Sequence, residues 1–166
     1  MKEPKIGVYI CHCGGNISDT VAVGKVKEAI AECKGVKVCE TYEYMCSKPG
    51  QDMIERDIRE HKLDRVVVAS CSPRMHLDTF RGAAKRAELN PHLLEMANIR
   101  EQCSWVHDNK ELATNKATAL IRGLEAAIQH GATSLTIKSD SELMVRQLNG
   151  VYKVRTPHIL KLYQEA

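Results

Sequence analysis

Asp64-Arg65-Val66-Val67-Val68-Ala69-Ser70-Cys71-Ser72-Pro73-Arg74-Met75 is the stretch that decides the fold. Three consecutive valines followed by small residues make a short, uninterrupted apolar run. Such a run suits a strand buried on both faces, and so a central place in a parallel sheet. It stops at a loop bearing Cys71, and Pro73 suits the first turn of a following helix, where its missing N–H costs nothing. A cysteine therefore stands at the carboxyl end of a middle strand, the edge at which open α/β sheets bind ligands.

Outward from this strand, elements of the two periods alternate. Lys5 to Ile10 is a β run closed by Cys11-His12-Cys13-Gly14-Gly15-Asn16. Ser18 or Asp19 can cap the next helix, with Val23, Val26, Ile30 and Cys33 on one face and Gly35 at its end. Val36 to Tyr42 reads as a second strand, followed by Tyr44-Met45-Cys46, the turn at Pro49-Gly50, and a helix marked by Met53, Ile54 and Ile58. After the central strand, Phe80, Ala83, Ala84 and Ala87 form the stripe of a third helix, broken at Asn90-Pro91. His92 to Ala97 reads as a fourth strand. A long helix is expected from about Asn109 to His130, with Ala113, Ala117, Leu120, Ile121, Leu124 and Ile128 at helical spacing and Gly131 past its end. Ser134 to Lys138 alternates as a fifth strand and runs into a helix from Ser141 to Leu148. The expectation is one domain over residues 1–166: a three-layer, flavodoxin-like α/β sandwich with a five-stranded parallel sheet in order 2-1-3-4-5.

The chain has 166 residues, 43% hydrophobic and 27% charged, which is enough for a core without staples. With one Trp and one Phe, that core must rest on aliphatic side chains. A net charge of +3 is too small to argue for nucleic acid, and no membrane span or signal-peptide pattern is present, so the cytoplasm is the expected compartment. Seven cysteines, an odd number, then point away from a disulfide framework and towards thiol, metal or redox chemistry. Cys33 and Cys39 read as small core residues. Cys11 and Cys13 follow the first strand, Cys46 the second, Cys71 the third and Cys103 the fourth. A parallel sheet gathers all five on one carboxyl edge, where four thiolates suffice for zinc or an iron–sulfur cluster.

Other motifs have blander readings. Cys13-Gly14-Gly15-Asn16 lacks the Rossmann and Walker patterns, so a left-handed connecting turn is preferred to a phosphate cradle. His12, His76 and His107 lie near cysteine-bearing loops and are read as loop histidines rather than ligands.

Ile10-Cys11-His12-Cys13-Gly14-Gly15-Asn16, Tyr44-Met45-Cys46, Val67 to His76 and Glu95 to His107 together resemble the amino-terminal segment of the heterodisulfide reductase family, in its A-type subunits. The resemblance covers about residues 1–112. In that family it implies a segment preceding a flavin-binding, thioredoxin-reductase-like domain, in an electron-transferring complex with iron–sulfur clusters. The residues that follow here resemble another family. Ala119 to Ala127, Ser139-Asp140-Ser141-Glu142-Leu143, Gln147-Leu148-Asn149-Gly150 and Tyr152-Lys153-Val154 are similar to the ribonuclease H family, over about residues 118–166. A join is expected inside the long helix, around Leu112 to Thr118, because both families supply a helix there and only the apolar stripe must stay in register.

Ribonuclease H chemistry needs several carboxylates around two divalent metals. Asp140 is the one residue that matches a carboxylate of that set. The family's glutamate on the long helix aligns near Lys116, whose charge is of the wrong sign, and Asp140 reads first as a helix cap. No catalytic residue is therefore assigned. The expected protein is an engineered chimeric scaffold without retained catalysis, with no bound cofactor as prepared in air and no nucleic-acid, membrane or protein partner. The alternatives are an iron–sulfur or zinc electron-transfer module using Cys11, Cys13, Cys46, Cys71 and Cys103, and, more weakly, a residual nuclease.

Overall fold

The computed structural model describes residues 3–129. In chain order they form β1 (Ile6–Cys11), α1 (Val23–Ala31), β2 (Val36–Tyr42), α2 (Lys48–His61), β3 (Arg65–Ser70), α3 (Pro73–Arg86), β4 (Leu94–Asn98) and α4 (Lys110–Gln129). The strands pair in parallel in the order β2-β1-β3-β4. Val67 of the valine run lies opposite Val8 on one side and Glu95 on the other, so β3 is a middle strand as expected. Val66, Val67, Val68 and Ala69 are wholly buried, as are Val8, Tyr9 and Ile10 of β1. Each such aliphatic side chain removed from water contributes on the order of 1.5–3 kcal/mol.

Two helices cover each face. α1 packs against α4, with α4 over β3 and β4, while α2 packs against α3 on the opposite side. This arrangement follows from handedness: β1-α1-β2 and β3-α3-β4 step in opposite directions across the sheet, so crossovers of one hand must use opposite faces.

Five strands are expected from the sequence, and four are present among the described residues. The expected fifth strand, Ser134 to Lys138, lies outside them. α4 runs over the α1 face of the sheet. An apolar stripe shows that a helix is buried but not on which face of the sheet.

Boundaries differ where long-range contacts decide them. β4 begins at Leu94, because Pro91–Leu93 makes a tight 3-10 turn whose preceding Asn90 side chain accepts the His92 N–H at 3.0 Å. Neither Ser18 nor Asp19 caps α1. The helix starts at Val23, and the residue before it, Ala22, has its N–H taken by Thr114 at 2.9 Å. Cys33 lies past the end of α1, half-buried rather than on its apolar face. α3 begins as its sequence suggests, with Pro73 in the first turn and Ser72 as cap. Pro49-Gly50, however, is not a turn ahead of α2: both residues lie in its first turn, capped by Ser47, because a proline's missing N–H costs nothing there.

The chain divides into two compact units, Met1–Leu135 and Thr136–Ala166, and the described residues all belong to the first. No helix among them is long and apolar enough to cross a membrane.

Candidate functional site: a thiol edge

The site is assembled from the loops that leave the carboxyl ends of the four strands. β1 ends at Cys11, buried, and the His12 N–H reaches back to the Tyr42 carbonyl at the end of β2, at 3.0 Å. Cys13, Gly14 and Gly15 then take three successive left-handed conformations, φ 56°, 57° and 91°. Glycine adopts these freely, whereas Cys13 does so at a cost of roughly 1–2 kcal/mol. The reversal lets the Ile17 and Ser18 N–H groups share the His12 carbonyl at 3.0 and 3.3 Å, and the Asn16 N–H reach Cys13 O at 3.1 Å. The loop is thus a left-handed connecting turn with its Asn16, Ile17 and Ser18 amides engaged, and α1 starts only at Val23.

The Tyr44-Met45-Cys46 turn closes over Cys11. Met45 is wholly buried, and its N–H points at the Cys11 sulfur, 3.4 Å away. The Cys13 N–H donates to the same sulfur, while the Cys11 thiol faces the Glu43 carbonyl at 3.7 Å. Burial pushes the Cys11 thiol up to about 11; the two N–H donors oppose this and the neighbouring Cys13 and Cys46 sulfurs add to it. Cys71, one residue past β3, is also buried. Burial raises it, Arg100 opposes, and Glu101 and Cys13 add.

Cys11, Cys13, Cys46 and Cys71 thus share one electrostatic neighbourhood: Cys11 with Cys13 and Cys46, and Cys13 with Cys71. Cys103 is wholly buried in the core, at the head of a short turn after β4, and His107 Nδ1 lies 2.8 Å from its carbonyl oxygen. None of the seven cysteines is in a disulfide.

Among the described residues, no three cysteine sulfurs come within 4.8 Å of one another. Zinc bonds of ~2.3 Å require tetrahedral sulfurs about 3.8 Å apart, so the edge is not a preformed zinc site. An iron–sulfur cluster holds its thiolates apart by its own width, and the donor chemistry of this edge fits it: four thiols from the ends of three strands, Cys11 and Cys13 after β1, Cys46 after β2 and Cys71 after β3, with N–H donors aimed at two of the sulfurs.

The group that does gather within 4.8 Å is Asp57, Glu60 and His61, which sequence reasoning does not single out. Glu60 and His61 are exposed, whereas Asp57 is buried and its carboxylate already accepts from Tyr9 and Arg56. His12 and His107 lie in loops, with Glu43 at 3.9 Å from His12 and Cys103 O beside His107. His76, by contrast, is not a loop residue but sits on α3 with its ring against Phe80 one turn on, because the helix already begins at Pro73.

Sequence reasoning also misses Arg100, two residues past β4. Its guanidinium lies 4.6 Å over the Trp105 ring and forks onto Glu101 at 2.8 and 3.2 Å. Its remaining donors reach Cys13 Sγ at 3.3 Å and Met75 Sδ at 2.9 Å. Only a search for cations at strand ends, beside the search for ligands, finds it. Three of the large apolar residues left exposed stand at this edge: Tyr44 in the turn after β2, Met75 in the first turn of α3 and Trp105 in the 3-10 turn after β4.

Asp140 lies outside the described residues. Lys116 sits half-buried on α4.

A family model described as reverse transcriptase-like matches residues 99–166. The chain is also similar to the second iron–sulfur A-type subunit of CoB–CoM heterodisulfide reductase of Methanopyrus kandleri, 51% identical over 140 residues, which is 84% of this chain and 21% of that protein. It is 54% identical over 123 residues to the A-type subunit of the H(2):CoB-CoM heterodisulfide,ferredoxin reductase of Methanothermobacter marburgensis, 74% of this chain and 19% of that one. It is 50% identical over 119 residues to the A-type subunit of the ferredoxin:CoB-CoM heterodisulfide reductase of Methanosarcina mazei, 71% of this chain and 15% of that one. The chain therefore spans a fifth or less of the length of most such relatives. Matches to two unlike families overlap along it, and both run across residues 112–118.

Proposed function

We propose that the chain is a recombined, engineered α/β protein whose reductase-like body carries an iron–sulfur site on its thiol edge and whose ribonuclease-H-like tail has no nuclease activity. The observation that carries the first part is the convergence of Cys11, Cys13, Cys46 and Cys71 on one edge, with backbone N–H groups already directed at Cys11. An iron–sulfur cluster supplies one-electron transfer at a potential set by burial and by hydrogen bonds to its sulfurs. The chain's own part is to hold the ligands. Met45 and the left-handed turn at Cys13 fix the Cys11 sulfur, α3 and its Ser72 cap fix the backbone beside Cys71, and the buried sheet below excludes water. That relatives are named iron–sulfur subunits supports this reading.

For the body we assign the flavodoxin-like sandwich, on its order 2-1-3-4 and its two helical layers. The cytoplasm is the compartment that suits seven cysteines without a disulfide. The recombined origin is supported by matches to two unlike families that overlap along one chain. On the nuclease side, Asp140 remains the one carboxylate matched, and Lys116 stands where the resemblance calls for another.

The test is anaerobic reconstitution with ferrous iron and sulfide, followed by visible absorbance and iron and sulfide analysis. Near-stoichiometric uptake, lost in Cys71→Ser and in Cys13→Ser, is the expected result. No uptake by the folded wild type would leave a bare scaffold with an unfilled edge.

A further inference from the structure

We infer that Arg100 is the positioning residue of the thiol edge, holding the Cys13 sulfur with one N–H and making a cluster bound there easier to reduce. This rests on the iron–sulfur reading above.

The geometry singles out Arg100 among the cations. Its side chain is only 12% exposed although it carries a full charge. Three features fix the guanidinium plane: the Trp105 ring at 4.6 Å, the two bonds to Glu101, and Glu101's own N–H anchored on Asn98 Oδ1 at 3.1 Å. A planar fork held in this way keeps its remaining N–H groups aimed in set directions, which the flexible ammonium of lysine cannot do. One of those groups meets Cys13 Sγ at 3.3 Å and another meets Met75 Sδ at 2.9 Å. The side chain thus spans the loops after β1 and β4 and the first turn of α3. Cys13 needs such a hold, because it sits in a strained left-handed conformation.

A fixed positive charge and an N–H···S bond stabilise the more negative, reduced state of a thiolate-bound cluster, so their removal must lower its reduction potential. The Glu101 carboxylate opposes the charge of Arg100, while the N–H···S bond to Cys13 is unaffected by it.

The experiment compares reconstituted wild type, Arg100→Gln, Arg100→Lys and Trp105→Leu by iron and sulfide content and by equilibrium redox titration. Arg100→Gln should keep near-wild-type iron content and lose about tenfold in its preference for the reduced state, a midpoint about 59 mV lower for one electron. Arg100→Lys, which restores the charge, should recover part of the shift. Trp105→Leu, which leaves the thiols untouched but frees the guanidinium, should move in the same direction by less. Equal midpoints in all three variants would overturn the role of Arg100 while leaving the cluster site standing. Wild type that takes up no iron and sulfide would overturn both readings, and the two failures are told apart by which protein shows them.

Discussion

The hydroxyl of Thr114, in the second turn of α4, accepts the N–H of Ala22, the residue just before α1, at 2.9 Å, and itself donates to Lys110 O at 2.6 Å. One buried side chain thus satisfies the start of a helix 92 positions earlier. Nearby, Lys110 Nζ holds the Ser18 and Asp19 carbonyls at 3.2 and 3.1 Å. The first half of α4 is therefore built into the body, although the reverse transcriptase-like match already covers it.

Thr114→Val should destabilise the body by about 1 kcal/mol, because it leaves a half-buried N–H without its acceptor. Thr114→Ser, which keeps the oxygen, should lose far less. Urea unfolding followed by circular dichroism measures both. Equal stability of the valine and serine variants would show that the hydroxyl does not cap α1.

Stability should fall as pH rises above the ordinary thiol range. Burial pushes Cys11 up to about 11 and Cys39 up to about 12, and raises Cys71 and the Tyr9 phenol, which also faces Asp57. These groups are neutral acids in the fold and ionise first in the unfolded chain. Their contribution is complete below the unfolded values and is lost as pH rises towards the folded ones. The loss has a slope of about 1.4 kcal/mol per pH unit for each group that is ionised only when unfolded. Urea midpoints under reducing conditions should decline steadily from about pH 9 to 11, and Cys39→Ala should flatten the slope. A constant midpoint across that range contradicts the assigned burial.

No hydrolysis of RNA–DNA hybrids should be detectable with magnesium or manganese. Two-metal catalysis depends on several carboxylates, and each missing contact costs several kcal/mol in the transition state, on the order of many powers of ten in rate when combined. Metal-dependent turnover that disappears in Asp140→Asn would reverse this conclusion.

Much of the body is legible in sequence because it depends on local pattern. Val66 to Val68 could only be a strand covered on both sides, Val36 to Tyr42 has the bounds expected, and parallel order alone puts the cysteines on one edge. What stays hidden depends on residues far apart. α1 starts at Val23 because the amides of residues 16–21 bond to carbonyls of the loop itself and Thr114 accepts the Ala22 N–H, so the local capping signal at Ser18 and Asp19 misleads. The face chosen by α4 depends on α1, and the role of Arg100 depends on Cys13, 87 residues earlier.

Gly50 links the packing of α2 to the thiol edge, and replacing it should damage both. It lies buried in the first turn of α2, where a Cβ would press on the carbonyl oxygen, Cα and carbonyl carbon of Met45. Its backbone has no left-handed requirement, so the constraint is one of space alone. Backbone atoms cannot swing aside as the end of a side chain can. Gly50→Ala must therefore push the Met45 turn away, at an overpacking cost of about 1–3 kcal/mol. That movement draws the Met45 N–H off the Cys11 sulfur, so iron and sulfide uptake should fall together with stability. Gly24, in α1, is the control. A Cβ there meets nothing within 4 Å, so Gly24→Ala should stabilise by about 0.5–1 kcal/mol through helix propensity and leave uptake unchanged. If Gly50→Ala proved as harmless as Gly24→Ala in both urea unfolding and reconstitution, the close contact between α2 and Met45 would be wrong.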